Sequence, residues 1–319
     1  MLTIAFCENC LCERGTTIAL YDYAYYNEKI LGNKSIIIYN LNNKDTDKNV
    51  LERFKKQFKV CGVYSFDEVD PILLENKCDI LYVIKSGGRD DRISKVVKTV
   101  VHCVFDCYYP QGHVYASISP WINGNNGKYP WVPHMINLPS HNEDMRKELN
   151  IPETATVFGR HGGYDTFNIP FVQNIVHLVA KYYPQIYFLF INTRPFCEDL
   201  PNIIHLNRIY DLDEKVKFIN TCDAMIWGRS DGETFGLSIG EFSLKNKPVV
   251  CMDIGYKAHI HLLDGKGLLY DNEESLFQIL TKFDREEAIT KDWTAYKDCT
   301  PEKVMEIFKN VFILGPTRM

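Results

Sequence analysis

The sequence contains no run of the 18 or so apolar residues that a membrane-spanning helix needs. Its first ten residues, MLTIAFCENC, contain no lysine or arginine, so we expect no secretory signal. The 36 basic and 41 acidic residues give a net charge of −5, which provides no general attraction to nucleic acid. We therefore expect a cytoplasmic protein that has no nucleic-acid partner.

Patterns typical of metal sites are also scarce. The 11 cysteines are spread through apolar stretches, as reduced core cysteines are. The cluster Cys7, Cys10 and Cys12 has no second Cys/His pair at zinc-finger spacing. Asp-x-Asp triplets occur at 45–47 and 211–213, but the first lies in a polar turn and the second just before a predicted helix, where aspartate caps helices. We expect no metal and no other cofactor.

What the sequence does contain is a regular alternation of short β-branched runs with amphipathic stretches. A length of 319 residues is about twice that of a typical domain of ~150 residues. A polar, proline-containing stretch at 137–154 separates two such series. The apolar spacing predicts helices at 17–31, 47–58, 168–182, 213–221 and 235–245.

This alternation predicts an α/β fold with mostly parallel sheets covered by helices. We expect two Rossmann-like doubly wound domains, at 1–140 and 150–296, facing each other across a cleft. An apolar face in the last segment, 297–319, predicts a C-terminal helix that packs back toward the first domain. Ligands of such sheets bind at the carboxyl ends of the strands, so the loops there are the candidates for chemistry.

The first informative loop is FGRHGGYDTFNIP, at 158–170. Arg160 ends a predicted strand and carries a planar charge suited to phosphate oxygens. Gly162 and Gly163 follow it, and glycines let a backbone approach a ligand closely. An ordinary turn with a surface arginine is the alternative.

The second loop, RSDGETFGLSIGEFS at 229–243, gives a stronger signal. Thr234 is predicted to cap a helix whose first-turn amides are free to bind an anion. Those amides belong to Phe235, Gly236 and Leu237. Glu233 precedes the helix, and Glu241 lies in its second turn among apolar residues, where a carboxylate usually has a partner.

These residues resemble the Glu-x7-Glu motif of retaining glycosyltransferases with the GT-B fold, especially those of family four. The matching residues are Ser230, Glu233, Phe235, Gly236, Leu237 and Glu241. The segments VFGR, CDAMIWGRS and LKNKPVV are similar to further family segments. The resemblance covers roughly 150–275 and extends more loosely to the first half.

The resemblance implies that Glu233 contacts sugar hydroxyls, that the Phe-Gly-Leu amides hold the diphosphate and that Glu241 binds the ribose. The donor-binding residues it implies are Arg160, Gly162, Gly163, Arg229, Ser230, Glu233, Thr234, Phe235, Gly236, Leu237 and Glu241. The catalytic residues it implies are Glu233, His102 and Arg160. The acceptor-side residues it implies are Arg14, Gly15 and Thr16.

At two positions the resemblance is incomplete or leaves the role open. The family lysine that follows the arginine is missing, and Arg229, which stands where the family has proline, is a candidate for supplying its charge. His102 lies in or just past an apolar strand. It either approaches the donor sugar, as the resemblance implies, or is a hydrogen-bonded core residue.

The expected function is retaining transfer of a sugar from a nucleotide diphosphate sugar to a glycan or lipid-linked acceptor. A sugar-nucleotide epimerase, or a nucleotide-sugar-binding protein without turnover, is the alternative. The lysines beside the apolar stripe of helix 47–58 permit peripheral membrane contact, although such a stripe is also typical of a core-facing helix.

Overall fold

The computed structural model describes residues 1–12 and 14–316. Its strands are β1 (Thr3–Glu8), β2 (Lys34–Asn40), β3 (Lys59–Val63), β4 (Ile80–Lys85), β5 (Lys98–Cys103), β6 (Val114–Ser117), β7 (Thr156–His161), β8 (Ile186–Ile191), β9 (Ile203–Leu206), β10 (Ala224–Ile226), β11 (Gly232–Glu233), β12 (Val249–Met252), β13 (Tyr256–Lys257) and β14 (Leu268–Tyr270). Its α-helices are α1 (Gly15–Lys29), α2 (Lys48–Gln57), α3 (Val69–Glu75), α4 (Pro170–Tyr182), α5 (Leu212–Thr221), α6 (Leu237–Leu244), α7 (Ala258–Leu263), α8 (Glu273–Thr281), α9 (Arg285–Ile289) and α10 (Pro301–Phe308). A short 3₁₀ helix spans Phe66–Glu68, and a π-helix spans Lys309–Ile313.

The chain divides into two compact units. The first contains Met1–Met135 together with the chain from Asp298 onward, and the second contains Ile136–Lys297. Residues 137–154, which the sequence marks as the boundary, therefore lie at the start of the second unit.

The first unit is built on a parallel sheet. Its strand order is β3-β2-β1-β4-β5-β6, and every neighbouring pair is parallel. The chain starts in the middle, moves outward to β3 and then returns to β4 beside β1. The switch point of this sheet therefore lies between the carboxyl ends of β1 and β4.

The second unit repeats this topology. Its main sheet has the order β14-β12-β10-β7-β8-β9, again with parallel neighbours. Its first strand, β7, lies beside β10, so the switch point lies between the carboxyl ends of these two strands. The predicted α/β class with doubly wound Rossmann-like sheets is confirmed in both units.

The last helical segment packs within the first unit. The ring of Phe308 lies 5.5 Å from the rings of both Tyr23 and Tyr82, and Phe312 lies 5.4 Å from Tyr82. These rings are buried and belong to the core of the first unit. The apolar stripe of the segment is therefore the covering surface of that core.

The lysine-rich helix α2 faces the same unit with its apolar side. Phe54 and Phe58 are buried, and both rings make edge-on contacts with Tyr21. These two rings belong to the core, in agreement with the core-facing interpretation of the stripe. In the described residues, no helix combines the length and the apolar character that crossing a membrane requires.

Candidate functional site

The two loops singled out in the sequence leave the second sheet at its switch point. β7 ends at His161, and β10 ends at Ile226, three residues before Arg229. The two strands are hydrogen-bonded neighbours and run parallel, so their carboxyl ends lie at the same edge of the sheet. This edge is where doubly wound sheets bind their ligands.

Arg160, the second-to-last residue of β7, carries a buried charge. It is 4% exposed. Its guanidinium donates to the hydroxyls of Thr193 and Thr166 and, at 3.2 Å, to the carbonyl of Gly163. Burial lowers the pKa of Arg160 to about 10, which leaves it charged at neutral pH. All of these partners are neutral oxygens, so within residues 1–12 and 14–316 no carboxylate in direct contact cancels its charge.

The glycines after Arg160 have a more specific role than the sequence indicated. A Cβ atom at Gly162 would lie 2.7 Å from Nη2 of Arg160. Gly162 therefore makes room for the guanidinium of this same chain, and Gly163 supplies one of its acceptors. The loop holds Arg160 in place rather than leaving it as a mobile surface side chain.

Glu233, in β11, is the centre of a second group. Its Oε1 accepts a hydrogen bond from the Trp227 indole at 3.2 Å, and its Oε2 accepts one from Arg229 at 3.2 Å. Burial raises the pKa of Glu233, while the charge of Arg229 opposes that shift. Arg229 also lies 3.6 Å from Asp231. The charge that could replace the family lysine is thus paired with carboxylates in this structure.

Helix α6 begins later than predicted. The sequence placed its cap at Thr234 and its first turn at Phe235, Gly236 and Leu237. The structure instead places Gly236 at the cap, with a left-handed φ of 82°, and starts the helix at Leu237. Only glycine adopts such a φ without strain, so the turn at Gly236 delays the helix by two residues. The first-turn amides are therefore those of Leu237, Ser238 and Ile239.

Phe235, just before this turn, is anchored rather than exposed. Its carbonyl accepts a hydrogen bond from the Tyr296 hydroxyl at 2.7 Å, and the two rings meet edge-on at 5.5 Å. The backbone amide of Ser230, nearer the strand, donates to the Asn168 side chain at 2.8 Å. The loop after β10 is therefore fixed at both ends.

Glu241 has the partners that its apolar surroundings predicted. Its Oε1 lies 2.9 Å from Nζ of Lys215, on α5, and its Oε2 lies 2.9 Å from Nε2 of His161. Burial opposes ionisation of this carboxyl, but Lys215 and His161 outweigh burial and lower its pKa to about 2. Burial also lowers the pKa of His161, against the pull of Glu241.

Sequence reasoning missed both of these partners. Lys215 is 26 residues from Glu241, and no local pattern connects them. The only available signal for His161 was its position directly after Arg160 at the end of a strand.

His102 lies in the core of the first unit. It is 0% exposed, its Nδ1 lies 2.7 Å from the Tyr82 hydroxyl, and its ring lies 5.3 Å from that of Phe312. Burial lowers the pKa of His102 to about 3, so the ring is neutral. This agrees with the hydrogen-bonded core interpretation. The expected contact of His102 with a donor sugar is not supported, because its aromatic neighbours leave the imidazole no accessible surface.

The predicted acceptor-side residues lie at the start of α1, beside the switch point of the first sheet. Arg14 is the cap residue and is exposed, with Nη2 2.9 Å from Asp45, and the helix begins with Gly15 and Thr16. Glu8, at the end of β1, was missed by the sequence analysis. Its carboxyl is buried, and Oε2 has no hydrogen-bond partner among the residues that the structure describes. Burial raises the pKa of Glu8 to about 7, against the opposing effect of the Thr16 and Thr17 hydroxyls.

The aspartates of the Asp-x-Asp triplets have structural partners. Asp47 and Asp211 accept hydrogen bonds from the first-turn amides of α2 and α5. Asp45 pairs with Arg14, and Asp213 lies 3.6 Å from His141. Within residues 1–12 and 14–316, no three or more His, Cys, Asp and Glu side chains are grouped so as to hold a metal ion.

Comparison with known proteins gives a likeness of fold. No protein-family model matches the chain, and no curated protein matches its sequence. A glycosyltransferase from Rickettsia africae superimposes with a TM-score of 0.65 at 13% identity, over 98% of this chain and 94% of that one. Anabaena HepE in complex with UDP-glucose superimposes with a TM-score of 0.64 at 15% identity, over 98% of this chain and 96% of the other.

A third solved structure, the N-terminal domain of trehalose-6-phosphate phosphatase from Candida albicans, gives a TM-score of 0.66 at 8% identity. The superposition covers 99% of this chain and 97% of the Candida albicans chain. The likeness to glycosyltransferase structures over nearly the whole chain confirms the predicted GT-B fold class. Identities this low establish the fold and leave the activity to be argued from the residues.

Proposed function

We propose that the protein transfers a sugar from a nucleotide diphosphate sugar to a glycan or lipid-linked acceptor, with retention at the anomeric carbon. The observation that carries this proposal is the buried charge of Arg160 at the switch point of the second sheet, which among the described residues is held by neutral oxygens. A buried cation that lacks a direct carboxylate partner is suited to receive an anion. The structural likeness to HepE, which was solved with UDP-glucose, supports a nucleotide sugar as the source of that anion.

In this proposal the diphosphate lies between Arg160 and the first turn of α6. The amides of Leu237, Ser238 and Ile239 have no acceptors within the helix and share its positive end. As the bond between sugar and diphosphate breaks, negative charge grows on the leaving phosphate. Fixed donors directed at that charge stabilise the transition state, and no reorganisation is needed during the step.

The two glutamates hold the remaining parts of the donor. Glu233 orients sugar hydroxyls, while Arg229 and Trp227 keep its carboxylate in position. Glu241 binds the ribose hydroxyls, since a carboxylate has about four lone-pair sites, and here Lys215 donates to Oε1 while His161 lies 2.9 Å from Oε2. Gly162, Gly163, Ser230, Thr234, Phe235 and Gly236 shape the loops around the donor. Arg14, Gly15 and Thr16 lie on the acceptor side.

The test is a thermal-shift screen of the full chain against UDP, GDP, ADP and their glucose conjugates. A nucleotide present at 100 times its dissociation constant adds about 2.7 kcal/mol of stability. We expect one nucleotide series to stabilise the protein, and the corresponding nucleotide sugar to be consumed in the presence of an acceptor. Arg160→Ala should abolish the thermal shift. Arg194→Ala is the control and should retain it, because Arg194 is an exposed arginine in the loop after β8 that pairs with Asp165.

The products separate this proposal from its alternatives. An epimerase converts the nucleotide sugar to another nucleotide sugar without an acceptor, and a binding protein gives the thermal shift without consuming its ligand. The anomeric proton coupling of the product sugar reports retention directly. Failure of all three nucleotide series to stabilise the protein would contradict the proposal.

A further inference from the structure

Two thiols in the turn after β1 lie side by side. Sγ of Cys10 and Sγ of Cys12 are 3.6 Å apart, and both side chains are buried and unoxidised. The proposed sugar transfer uses neither of them. Because their sulfurs are this close, the two cysteines form a dithiol.

Helix α1 holds this dithiol in place. The hydroxyl of Thr17 donates to the Cys10 carbonyl at 3.2 Å and accepts from the Cys12 amide at 3.3 Å. It also lies 4.0 Å from Sγ of Cys12. One side chain in the first turn of the helix thus fixes the backbone at both cysteines, so the two sulfurs are held on the same side of the turn.

A disulfide is within reach of small side-chain rotations. The S–S bond length is about 2.05 Å, so each sulfur would have to move by less than about 1 Å from its present position. Thr17 holds the backbone, so the adjustment falls on the χ1 angles of the two cysteines.

The two thiols differ in acidity in a way that assigns their roles. The contact with the Cys10 thiol lowers the pKa of Cys12; burial opposes that shift, and the Arg14 backbone and the Thr17 hydroxyl add to it. The same contact raises the pKa of Cys10. Cys12 is therefore the more acidic of the two thiols and the one that more readily gives the thiolate, which is the nucleophilic form.

A second close pair, Cys103 and Cys107, is less accessible. Hydrogen bonding to Cys103 also lowers the pKa of Cys107. Their exposures are 0% and 1%, whereas Cys12 retains 8% and lies two residues from the exposed Arg14. Of these two pairs, the one that contains Cys12 is therefore the more accessible to a small oxidant.

We propose that Cys10 and Cys12 form a peroxide-reactive dithiol site that closes to a disulfide. The Cys12 thiolate attacks one oxygen of hydrogen peroxide, the O–O bond breaks, and hydroxide leaves and takes up a proton to become water. Cys12 is then a sulfenic acid. Cys10 loses its proton and attacks the Cys12 sulfur, and the S–O bond breaks to release a second water. Two thiols are oxidised, and one peroxide is reduced to two waters.

The test treats the full-length, reduced protein with one equivalent of hydrogen peroxide, followed by alkylation and cleavage after glutamate. Cleavage after Glu8 and Glu13 releases the peptide 9–13, NCLCE, whose two cysteines are Cys10 and Cys12. We expect this peptide to lose two hydrogens and to escape alkylation. In Cys10→Ser, dimedone should trap a sulfenic acid on Cys12.

Control variants locate the reaction. Cys12→Ser should lower oxidation at Cys10 by about tenfold or more, because the remaining thiol lacks the lowered pKa. Cys197→Ser, at a partly exposed thiol of the second unit, should react as the wild type does. The proposal is overturned if Cys10 and Cys12 both remain alkylated while other cysteines oxidise, or if the first disulfide joins Cys103 to Cys107. The wild-type result decides this even if a variant fails to fold.

Discussion

Lys215 Nζ lies 2.9 Å from Oε1 of Glu241, so that a cation of α5 and a carboxylate of α6 meet in the interior of the second unit. His161 approaches the other oxygen of the same carboxylate from the end of β7. Three elements of the second unit therefore converge on one carboxylate. Such a carboxylate stays ionised and keeps a fixed orientation, which is what recognition of a ribose would require.

The ribose role of Glu241 predicts a loss of nucleotide affinity on truncation. Charge-assisted hydrogen bonds contribute about 1.5 to 3 kcal/mol, so Glu241→Ala should weaken binding of the preferred nucleoside diphosphate by roughly 10- to 150-fold. Calorimetry with that nucleotide and with its 2′-deoxy form measures the effect. The wild type should prefer the ribose form, and Lys215→Met should reduce that preference.

A folded Glu241→Ala protein with unchanged affinity would remove Glu241 from the nucleotide site. Equal affinity of the wild type for the ribose and 2′-deoxyribose forms would lead to the same conclusion. Lys217→Met, at a more exposed lysine of the same helix that pairs with Glu214, is the matched control and should bind as the wild type does.

Arg160 is predicted to act on the leaving diphosphate. Removing one preorganised charge donor from such a site costs about 10²- to 10³-fold in turnover, and Arg160→Ala should fall in this range. Its hydrogen bonds to Thr166 and Thr193 imply some loss of stability as well. Measuring turnover at a temperature where circular dichroism shows the variant to be folded separates the two effects. Wild-type kinetics in that variant would place the phosphate site elsewhere.

The starts of α5 and α6 illustrate which features of the fold can be read locally. Asp211 caps α5 through the amides of Asp213 and Glu214, so a short-range side-chain signal placed the start of that helix within one residue. Thr234 gave a similar signal, but the positive φ of Gly236 decided where α6 begins. A glycine permits such a turn without requiring it, so the sequence alone did not reveal it.

The candidate site was predictable as a location and only partly as a set of contacts. Strand alternation placed Arg160, Glu233 and Glu241 at the carboxyl edge of the second sheet, because parallel strands end there together. The pairing of Glu241 with Lys215 depends on how α5 and α6 pack, which no local pattern encodes. The burial of His102 was equally undetermined, because strand periodicity does not distinguish a core histidine from one at an exposed strand end.

Glu8 predicts a pH dependence of stability. Burial raises its pKa in the folded protein to about 7, from an ordinary value of 4.5. A raised pKa means that the folded state binds the proton of Glu8 more tightly than the unfolded state does. This proton therefore stabilises the folded protein fully below about pH 4.5, and the stabilisation is lost as the pH rises through 7. Glu8→Gln carries no such proton. Relative to the wild type, it should gain up to about 3 kcal/mol of stability between pH 4.5 and 8.

Chemical denaturation of both proteins at several pH values measures this difference. Glu75→Gln, at an exposed glutamate of the same unit, is the control and should show no comparable trend. A constant difference between Glu8→Gln and wild type across the range would show that Glu8 ionises normally in the folded protein.

The transfer reaction is predicted to proceed without a divalent metal. A metal-dependent transferase uses its cation to neutralise the leaving diphosphate, and here Arg160 and the first-turn amides of α6 are proposed to supply that charge. Aspartates of both triplets cap helices, Asp45 pairs with Arg14, and Asp213 lies 3.6 Å from His141. Initial rates in excess EDTA should therefore stay within about twofold of those with magnesium, since loss of an essential metal costs several kcal/mol of transition-state stabilisation. A decrease of about a hundredfold that magnesium or manganese restores would contradict this prediction and most of the role assigned to Arg160.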